Sequence, residues 1–255
     1  MSYSDAYQPP QFVPPDHGKP GPRQLDYMGM YNYIFENPNW VTNVLWGSLC
    51  ILAASVIPIL PQMVLSGYQW EIIETLHRRN RRGYPDFDTN RLGDYLGRGL
   101  WPMLVGLVAG FVVVMVLMVA MGVMMFITAI ASKNGGGAVG VIMMLVMFAC
   151  YIAALLAMNF VLVPMTIRAG LSQDFAQGFN IGWAIDFVKR TWVEMLLGSL
   201  FLMFSGMLLV MCGLLVFCVG MYPAAVIVML AYAHFFWQLY EIYLQRGGEP
   251  VPLKG

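Results

Sequence analysis

Four long runs of the chain contain no charged residue, and they dominate the pattern of hydrophobic and polar positions. Residues 37–70, 99–132, 134–167 and 195–240 contain no Asp, Glu, Lys or Arg. A helix needs about 20 predominantly apolar residues to cross roughly 30 Å of hydrocarbon, so each run can hold one crossing and the last can hold two. The pattern predicts an all-α integral membrane protein.

Polar breaks divide the apolar stretches into pairs of helices. Residues 132–137 form a polar, glycine-rich turn, and residues 220–223 interrupt the last run. Residues 41–77 contain Pro58 and Pro61, which fit either a shallow hairpin of two short helices or one kinked crossing. We predict about six membrane-embedded helical segments in three hairpins, with five segments as the alternative.

The same order of elements occurs three times. Each unit has a short aromatic stretch, then Trp40, Trp101 or Trp192, then an apolar run. Spacings of three and four residues place the stretch on one helical face. This pattern predicts a short amphipathic interfacial helix before each hairpin, although a helix packed on its neighbours has the same spacing. The residues are Tyr27, Tyr31, Ile34 and Phe35, then Phe87, Leu92, Tyr95 and Leu96, then Phe175, Phe179, Trp183 and Phe187.

Tryptophans near the ends of the apolar runs are expected to anchor the protein at the membrane surfaces. The indole ring is amphipathic and prefers the headgroup level of a bilayer. The predicted interfacial anchors are Trp40, Trp70, Trp101, Trp183, Trp192 and Trp237.

The two ends of the chain differ from the apolar centre. Residues 1–24 contain six prolines and almost no aliphatic residues, so they cannot bury enough surface to offset the entropy of ordering. We predict a disordered Pro-rich tail over 1–24, a helical membrane domain over 25–245 and a short polar C-terminal tail over 246–255.

The composition agrees with lipid as the main solvent. Hydrophobic residues make up 59% of the chain and charged residues 11%, whereas a water-soluble domain has about 25% charged residues. The net charge is zero and the isoelectric point is about 6.8. No overall field attracts nucleic acid, so we expect no nucleic-acid partner.

Basic residues indicate the orientation in the membrane. In the three-hairpin arrangement all of them except Lys133 face one side, which the positive-inside rule makes cytoplasmic. We predict a multi-pass protein of the cell (inner or cytoplasmic) membrane with both termini in the cytoplasm. Four arginines are expected to contact anionic lipid headgroups, to determine the topology, or to do both. They are Arg78, Arg79, Arg81 and Arg82.

Two acidic residues precede these arginines. Glu71 and Glu74 are three residues apart and could together hold a cation or act as an acid–base pair. Ion pairing with the neighbouring bases is favoured instead, because Glu74 lies four residues before Arg78.

Two further features of the apolar runs are candidates for function. His234 and Glu241 are seven residues apart, about two helical turns, and form a candidate intramembrane polar site for a proton or ion. A neutral histidine bonded to a neighbouring helix is the favoured interpretation. Gly106 and Gly110 form a GxxxG pair, which favours close helix packing within the chain, with dimerisation as the alternative.

No sequence motif indicates catalysis, and we expect no enzyme, cofactor or metal. The sequence has no nucleophile elbow, HExxH, Walker A or dinucleotide-binding motif. The four cysteines lie in apolar runs without a CxxC pair, and the scattered methionines fit adaptable apolar contacts better than copper binding.

Several segments resemble a known family. They are FENPNW (35–40), GYQWEIIETLHRR (67–79), FNIGWAIDFVKRTW (179–192) and AHFFWQLYE (233–241). Over roughly residues 25–245 the chain resembles the membrane family catalogued as domain of unknown function 4013. The resemblance implies a multi-helix membrane domain without an assigned activity and without family site residues.

The functional expectation follows from the aromatic stretches and the missing soluble domain. We expect a non-enzymatic scaffold, anchor or accessory subunit that contacts the lipid bilayer, anionic lipids and other membrane subunits or a second copy of itself. The alternatives are a small transporter or channel, suggested by repeated units and a proline break, and a membrane-shaping protein whose interfacial helices enter one leaflet.

Overall fold

The computed structural model describes residues 24–78, 83–132, 137–216 and 219–254, and this part of the chain is helical without strands. The predicted disordered tail lies outside the described residues except for its last residue. The helices are α1 (Gly29–Glu36), α2 (Trp40–Ala54), α3 (Leu60–Arg78), α4 (Leu92–Ser132), α5 (Gly137–Ser172), α6 (Phe175–Gly178), α7 (Ile181–Leu215) and α8 (Met221–Gln245), with a 3-10 turn at Thr89–Arg91.

Among the described residues, four helices are long and apolar enough to cross a membrane: α4, α5, α7 and α8. The chain is therefore a multi-pass helical membrane protein by length and composition. With 41 residues, α4 is about 62 Å long at a rise of 1.5 Å per residue, roughly twice the hydrocarbon thickness. Part of α4 must accordingly extend beyond the bilayer.

The proline-interrupted segment forms two helices that contact each other, α2 and α3, and not one kinked helix. α2 has 15 residues, too few for a full crossing. Pro58 lies in the break between the two helices. The apolar side chains of Val56, Ile57 and Ile59 around this break are all exposed on the protein surface.

The central helix of the fold is α8, which contacts α1, α2, α3, α5 and α7. In its most apolar window 61% of the residues are buried inside the protein, against 28% in α7, 11% in α4 and 6% in α5. The main hydrophobic core surrounds the C-terminal half of α8 and includes Phe235, Tyr240 and Tyr243. The parts of α4 and α5 around Phe111 and Phe148, which we call the outer part of the α4–α5 pair, contribute little to this core.

Helices α3 and α4 approach most closely at two glycines. A Cβ atom on Gly67 would collide with the carbonyl oxygen of Tyr95, and one on Gly99 with the carbonyl oxygen of Met63. Both obstacles are backbone atoms, which cannot rotate away. The crossing therefore requires residues without a side chain at these two positions.

The predicted GxxxG pair does not form a close contact within the chain. A Cβ on Gly106 would lie 3.7 Å from the Thr166 methyl group, an ordinary contact, and one on Gly110 would meet nothing within 4 Å. These two distances give no support to the prediction of close intramolecular packing at Gly106 and Gly110. Dimerisation through this pair stays a prediction.

Two of the three predicted interfacial stretches contain a separate short helix among the described residues. α1 precedes α2 and α6 precedes α7, whereas the second stretch runs from the 3-10 turn directly into α4. Pro102 lies inside α4 and does not end it. The second stretch is therefore part of one long helix, while the third is divided between α6 and α7.

The aromatic faces of these stretches pack against protein. Ile34, Tyr95 and Phe187 are fully buried, and Phe87 and Trp183 are nearly so. The exposed members are Phe35, Leu92 and Phe175. Packing on neighbouring helices therefore accounts for the buried members of these stretches, and a position in the membrane interface stays a prediction for the exposed ones. Their spacing is the same in either case, because an apolar face fits a protein core as well as lipid.

The predicted tryptophan anchors separate into two groups. Trp70, Trp183 and Trp237 are buried in the core, so they cannot anchor the protein at the membrane surface, and the prediction is wrong for them. Trp70 instead stacks on Phe236, with ring centroids 6.2 Å apart. Trp40 and Trp101 are partly buried, and only Trp192 of the six is largely exposed, so it stays a candidate anchor.

Candidate functional site

The ion pairs of the described residues lie at one end of the bundle, which we call the polar end. It comprises the C-terminal parts of α3, α5 and α8, the N-terminal parts of α4 and α7, and α1. Glu71 of α3 accepts two hydrogen bonds, at 2.8 and 3.1 Å, from the guanidinium of Arg91, which ends the 3-10 turn directly before α4. Both side chains are largely shielded from solvent.

Glu74 connects the same two helices one turn farther along α3. Its carboxylate pairs with Arg78 at 2.7 Å, which confirms the pairing predicted from their four-residue spacing. It also pairs with Arg98 of α4 at 2.7 Å. Glu71 and Glu74 are thus fully engaged by arginines, and they are not arranged to hold a cation or to act as an acid–base pair.

The predicted pair of His234 and Glu241 does not form, and that prediction is wrong. Glu241 contacts Nδ1 of His77 in α3 at 2.5 Å. His234 is bonded through Nδ1 to Gln238, one turn along the same helix, at 2.8 Å. A separation of seven residues places two side chains on similar faces but two turns apart. His234 and Glu241 each pair with a residue that lies closer.

His234 lies at the bottom of a cavity of about 160 Å³ between α1 and α8. We call this cavity the His234 pocket. Its rim carries the exposed residues Asp26 and Glu36, and the other side chains that line it are largely buried. The lining residues are Asp26, Gly29, Tyr33, Glu36, His234, Trp237 and Gln238.

Gln238 fixes the shape of the pocket. Its side-chain oxygen accepts a hydrogen bond from the Asp26 backbone N–H at 2.7 Å, so the amide nitrogen must be the atom that faces His234. That nitrogen also donates to the Asp26 carbonyl at 3.0 Å. Nδ1 of His234 therefore faces a hydrogen-bond donor.

Aromatic rings form the walls of the His234 pocket. The Tyr33 ring stacks on His234, with centroids 4.5 Å apart, and Trp237 lies on another side of the imidazole at 4.9 Å. The Tyr33 hydroxyl donates to the Leu230 carbonyl at 2.6 Å. Burial raises the pKa of Tyr33 well above its usual value, so this ring stays neutral.

A second polar cluster ties the segment before α4 to the segment between α1 and α2. Asp86 accepts hydrogen bonds from the side chains of Asn37, Asn39 and Asn43, at 3.0, 2.7 and 3.2 Å. Burial on its own would raise the pKa of Asp86, but the three amide donors outweigh it and lower the pKa below its usual value. Its role is structural, since every partner belongs to the fold.

The sequence was compared with known families and proteins. A family model described as "Protein of unknown function (DUF4013)" matches residues 50–219, more than half of the chain. The chain belongs to this family. The resemblance deduced from the sequence is therefore confirmed. No curated protein and no solved structure matches the chain.

The residues of the His234 pocket lie outside the range that the DUF4013 family model matches. All pocket residues lie at 26–36 or 234–238, outside residues 50–219. The ion pairs between α3 and α4 lie inside the matched range. The family description assigns no activity to either part.

The remaining predicted residues of this DUF4013 protein have mixed outcomes. Arg79, Arg81 and Arg82 lie outside the described residues. Arg78 pairs with Glu74, so its guanidinium already has a partner within the protein. The described residues contain no group of three or more His, Cys, Asp or Glu side chains arranged for a metal ion.

Sequence reasoning missed the residues that complete the site. Asp26, Tyr33 and Gln238 come from segments about 200 residues apart, and only the packing of α1 on α8 brings them together. Arg168 was also missed as a buried group: its guanidinium donates to Gln177 and lies over the Trp183 ring. A basic residue at the end of an apolar run was the only available signal.

Proposed function

We propose that this DUF4013 protein is a non-enzymatic membrane anchor or accessory subunit of a larger membrane assembly. The supporting observation is the separation of polar and apolar groups. Ion pairs gather at the polar end, while a cavity of about 190 Å³ within the α4–α5 pair is lined by apolar residues such as Leu117, Met121 and Met147. A transporter or channel would need a polar cavity at mid-membrane.

The proposed docking surface for a partner is the outer part of the α4–α5 pair. Side chains there are exposed and apolar, including Phe111, Phe126 and Phe148. Lipid can cover such a surface, but helices in a bilayer also associate through van der Waals packing and small residues such as Gly110. We therefore propose another membrane subunit or a second copy of the chain as partner, without nucleic acid.

The membrane arrangement proposed for this function has six embedded segments. α4, α5, α7 and α8 cross the bilayer, and α2 and α3 enter it as a shallow hairpin with Val56 and Ile57 at its tip. The polar end then faces the cytoplasm, together with both termini, and the basic segment 77–82 lies near anionic headgroups. This assignment rests on the positive-inside rule and on the exposed apolar tip.

We favour this anchor over the alternative of a membrane-shaping protein, whose interfacial helices would enter one leaflet. Met30, Tyr33 and Ile34 of α1 are buried against the protein. An amphipathic helix that already buries its apolar face has little area left for lipid.

Affinity purification of the full chain in native lipid particles, followed by mass spectrometry, tests the proposal. We expect either a recurrent stoichiometric membrane partner or an oligomer. Replacing Phe111 and Phe148 by alanine should reduce this association, whereas Leu208→Ala, an equally exposed site on α7, should not. Recovery of the wild-type chain alone and as a monomer would overturn the proposal.

A further inference from the structure

We propose that the cavity within the α4–α5 pair binds one copper(I) ion through three sulfur atoms. We call this space the sulfur cavity. The site goes beyond the anchoring function proposed above and does not depend on it. Its basis is the position of three sulfur side chains around one space, together with the chemistry of sulfur donors.

Half of the residues that line the sulfur cavity carry sulfur. Met121 belongs to α4, and Met147 and Cys150 belong to α5. Cys150 is a free cysteine, so its thiol is available to a ligand. The other lining residues are purely hydrocarbon: Leu117, Ala120 and Ala154. Sulfur is therefore the only side-chain donor that this lining offers.

The helix register brings the three sulfur side chains to one level of the pair. Met147 and Cys150 are three residues apart, so they lie on one face of α5. A Cβ on Gly106 of α4 would lie 3.7 Å from the methyl group of Thr166 of α5. Counted from this contact along the two antiparallel helices, Met121 is level with the residue after Cys150. The three side chains thus approach the cavity from both helices at a similar depth.

A donor set made of sulfur alone selects a soft metal ion. Thiolate and thioether ligands favour copper(I), whereas Ca²⁺ and Mg²⁺ require oxygen ligands and Zn²⁺ is held by thiolate, imidazole or carboxylate. Methionine side chains are flexible and polarisable, so Met121 and Met147 can converge on an ion that is smaller than the cavity volume of about 190 Å³. The sequence alone favours apolar contacts for the methionines, and the structure adds the space that they share with a thiol.

The charge of the complex suits an apolar environment. Copper(I) carries one positive charge, and its binding releases the proton of the Cys150 thiol to water. One thiolate and two neutral thioethers then leave the complex without net charge. A divalent ion in the same site would keep one positive charge, which is costly inside a bilayer. Copper stays in its monovalent state, so binding involves no electron transfer.

The test titrates the full chain in a non-ionic detergent with copper(I), under anaerobic and reducing conditions and in competition with a coloured copper(I) chelator. We expect one tightly bound ion per chain, with silver(I) as a redox-inert analogue that competes for the same site. Loss of a group that only orients a metal ligand lowers metal affinity about 10–100-fold. Cys150→Ala removes a ligand itself, so its Kd should rise at least about tenfold, as should that of the double variant Met121→Leu with Met147→Leu.

Cys212→Ala and Met207→Leu are the matched controls, because both residues are exposed on α7 and lie outside the sulfur cavity. Both should bind the first copper(I) ion as the wild type does. The proposal is overturned if the wild type retains no copper(I) against the chelator, if Cys150→Ala binds it unchanged, or if Cys212→Ala loses it equally. The unfolding midpoint of every variant is measured without metal, and the methionine variants, which keep the side-chain volume, decide the question if Cys150→Ala does not fold.

X-ray absorption at the copper edge identifies the donor atoms. We expect three sulfur atoms around the ion in the wild type and fewer in Met147→Leu. Nitrogen or oxygen donors in the wild type would place the ion at another site and overturn the proposal. This result is separate from the anchoring function, because a chain that purifies alone and as a monomer can still bind copper(I) in the sulfur cavity.

Discussion

The carboxylate of Asp86 accepts hydrogen bonds from three asparagine side chains, and this arrangement makes the fold sensitive to acid. A carboxylate whose pKa is lower in the folded state stabilises that state above its unfolded pKa of about 3.9. The stabilisation is lost as the pH falls through the lower folded value. We therefore expect Asp86→Asn to be less stable than the wild type at pH 7, with the difference shrinking below about pH 4.

Thermal unfolding in detergent, monitored by tryptophan fluorescence between about pH 7 and pH 3, measures this difference. Glu249→Gln serves as control, because this exposed carboxylate makes no ion pair among the described residues, and its curve should follow the wild type. A difference between Asp86→Asn and the wild type that does not change with pH would show that the charge of Asp86 is not the cause.

Gly67 of α3 lies in tight packing and Gly110 of α4 faces open space, so alanine should affect stability differently at the two positions. Gly67→Ala forces a methyl group into the backbone of Tyr95, so we expect it to destabilise the protein by about 1–3 kcal/mol. Gly110→Ala places a methyl group in open space, so its effect should stay within about 1 kcal/mol. Denaturant unfolding in mixed micelles compares both variants with the wild type.

An equal loss of stability in both variants would contradict this interpretation of Gly67. A loss of oligomer in Gly110→Ala without a loss of monomer stability would instead indicate that the GxxxG pair acts between chains. Sequence alone pointed to Gly106 and Gly110, because the GxxxG spacing is visible locally. Gly67 and Gly99 lie on different helices, so no spacing within one helix could reveal them.

Between elements, the contact of α3 with α4 combines the two close-packed glycines with shielded ion pairs. Arg91 pairs with both a shielded and an exposed carboxylate, so the strengths of the two pairs can be compared on one arginine. Glu71 meets Arg91 through two hydrogen bonds and has a side chain only 12% exposed, whereas Asp94 meets the same arginine with a side chain 71% exposed. Glu71→Gln should therefore cost about 2 kcal/mol and Asp94→Asn less than about 1 kcal/mol.

Two double-mutant cycles require chemical unfolding of the wild type, the single variants Glu71→Gln, Asp94→Asn and Arg91→Gln, and the two double variants that contain Arg91→Gln. The coupling energy should be clearly larger for Glu71 than for Asp94, and it should persist in about 1 M salt because shielded pairs are screened less. Equal coupling energies in the two cycles would contradict the view that shielding by α3 and α4 strengthens the first pair.

The long helices were predictable from sequence because a run without charges is a direct consequence of the lipid solvent. Their partners were not, because an aromatic face such as that of Phe187 or Trp183 has the same spacing whether it meets lipid or protein. The His234 pocket shows the same limit. Its histidine was visible as a rare polar group in an apolar run, but Tyr33 and Asp26 come from a helix about 200 residues earlier.

On the scale of the whole molecule, the two ends of the bundle differ in what they expose. The polar end has a dense aromatic core and engaged ion pairs, while the outer part of the α4–α5 pair exposes apolar side chains almost everywhere. Since the burial of α8 is concentrated at its C-terminal half, we expect the polar end to be rigid. We expect the structure of the other end to depend on contacts with lipid or with a partner protein.

The orientation of the whole molecule follows from how α2 and α3 enter the membrane. If they form the proposed shallow hairpin, they return to the side from which they came, so both termini would lie on one side and Ile57 would stay within the bilayer. If the pair crossed the bilayer fully and back, the termini would also lie on one side, but Ile57 would reach the opposite surface. A single crossing would place the termini on opposite sides.

Cysteine accessibility distinguishes these three arrangements. In a variant without the natural cysteines, we expect Ile57→Cys to react with a membrane-permeant maleimide only slowly and with an impermeant one from neither side, because the acyl region contains little water in which a thiolate can form. Cysteines at residues 24 and 254 should both react from the cytoplasmic side. Rapid labelling of position 57 from the outside would exclude the shallow hairpin, and labelling of the two termini from opposite sides would exclude any hairpin of α2 and α3.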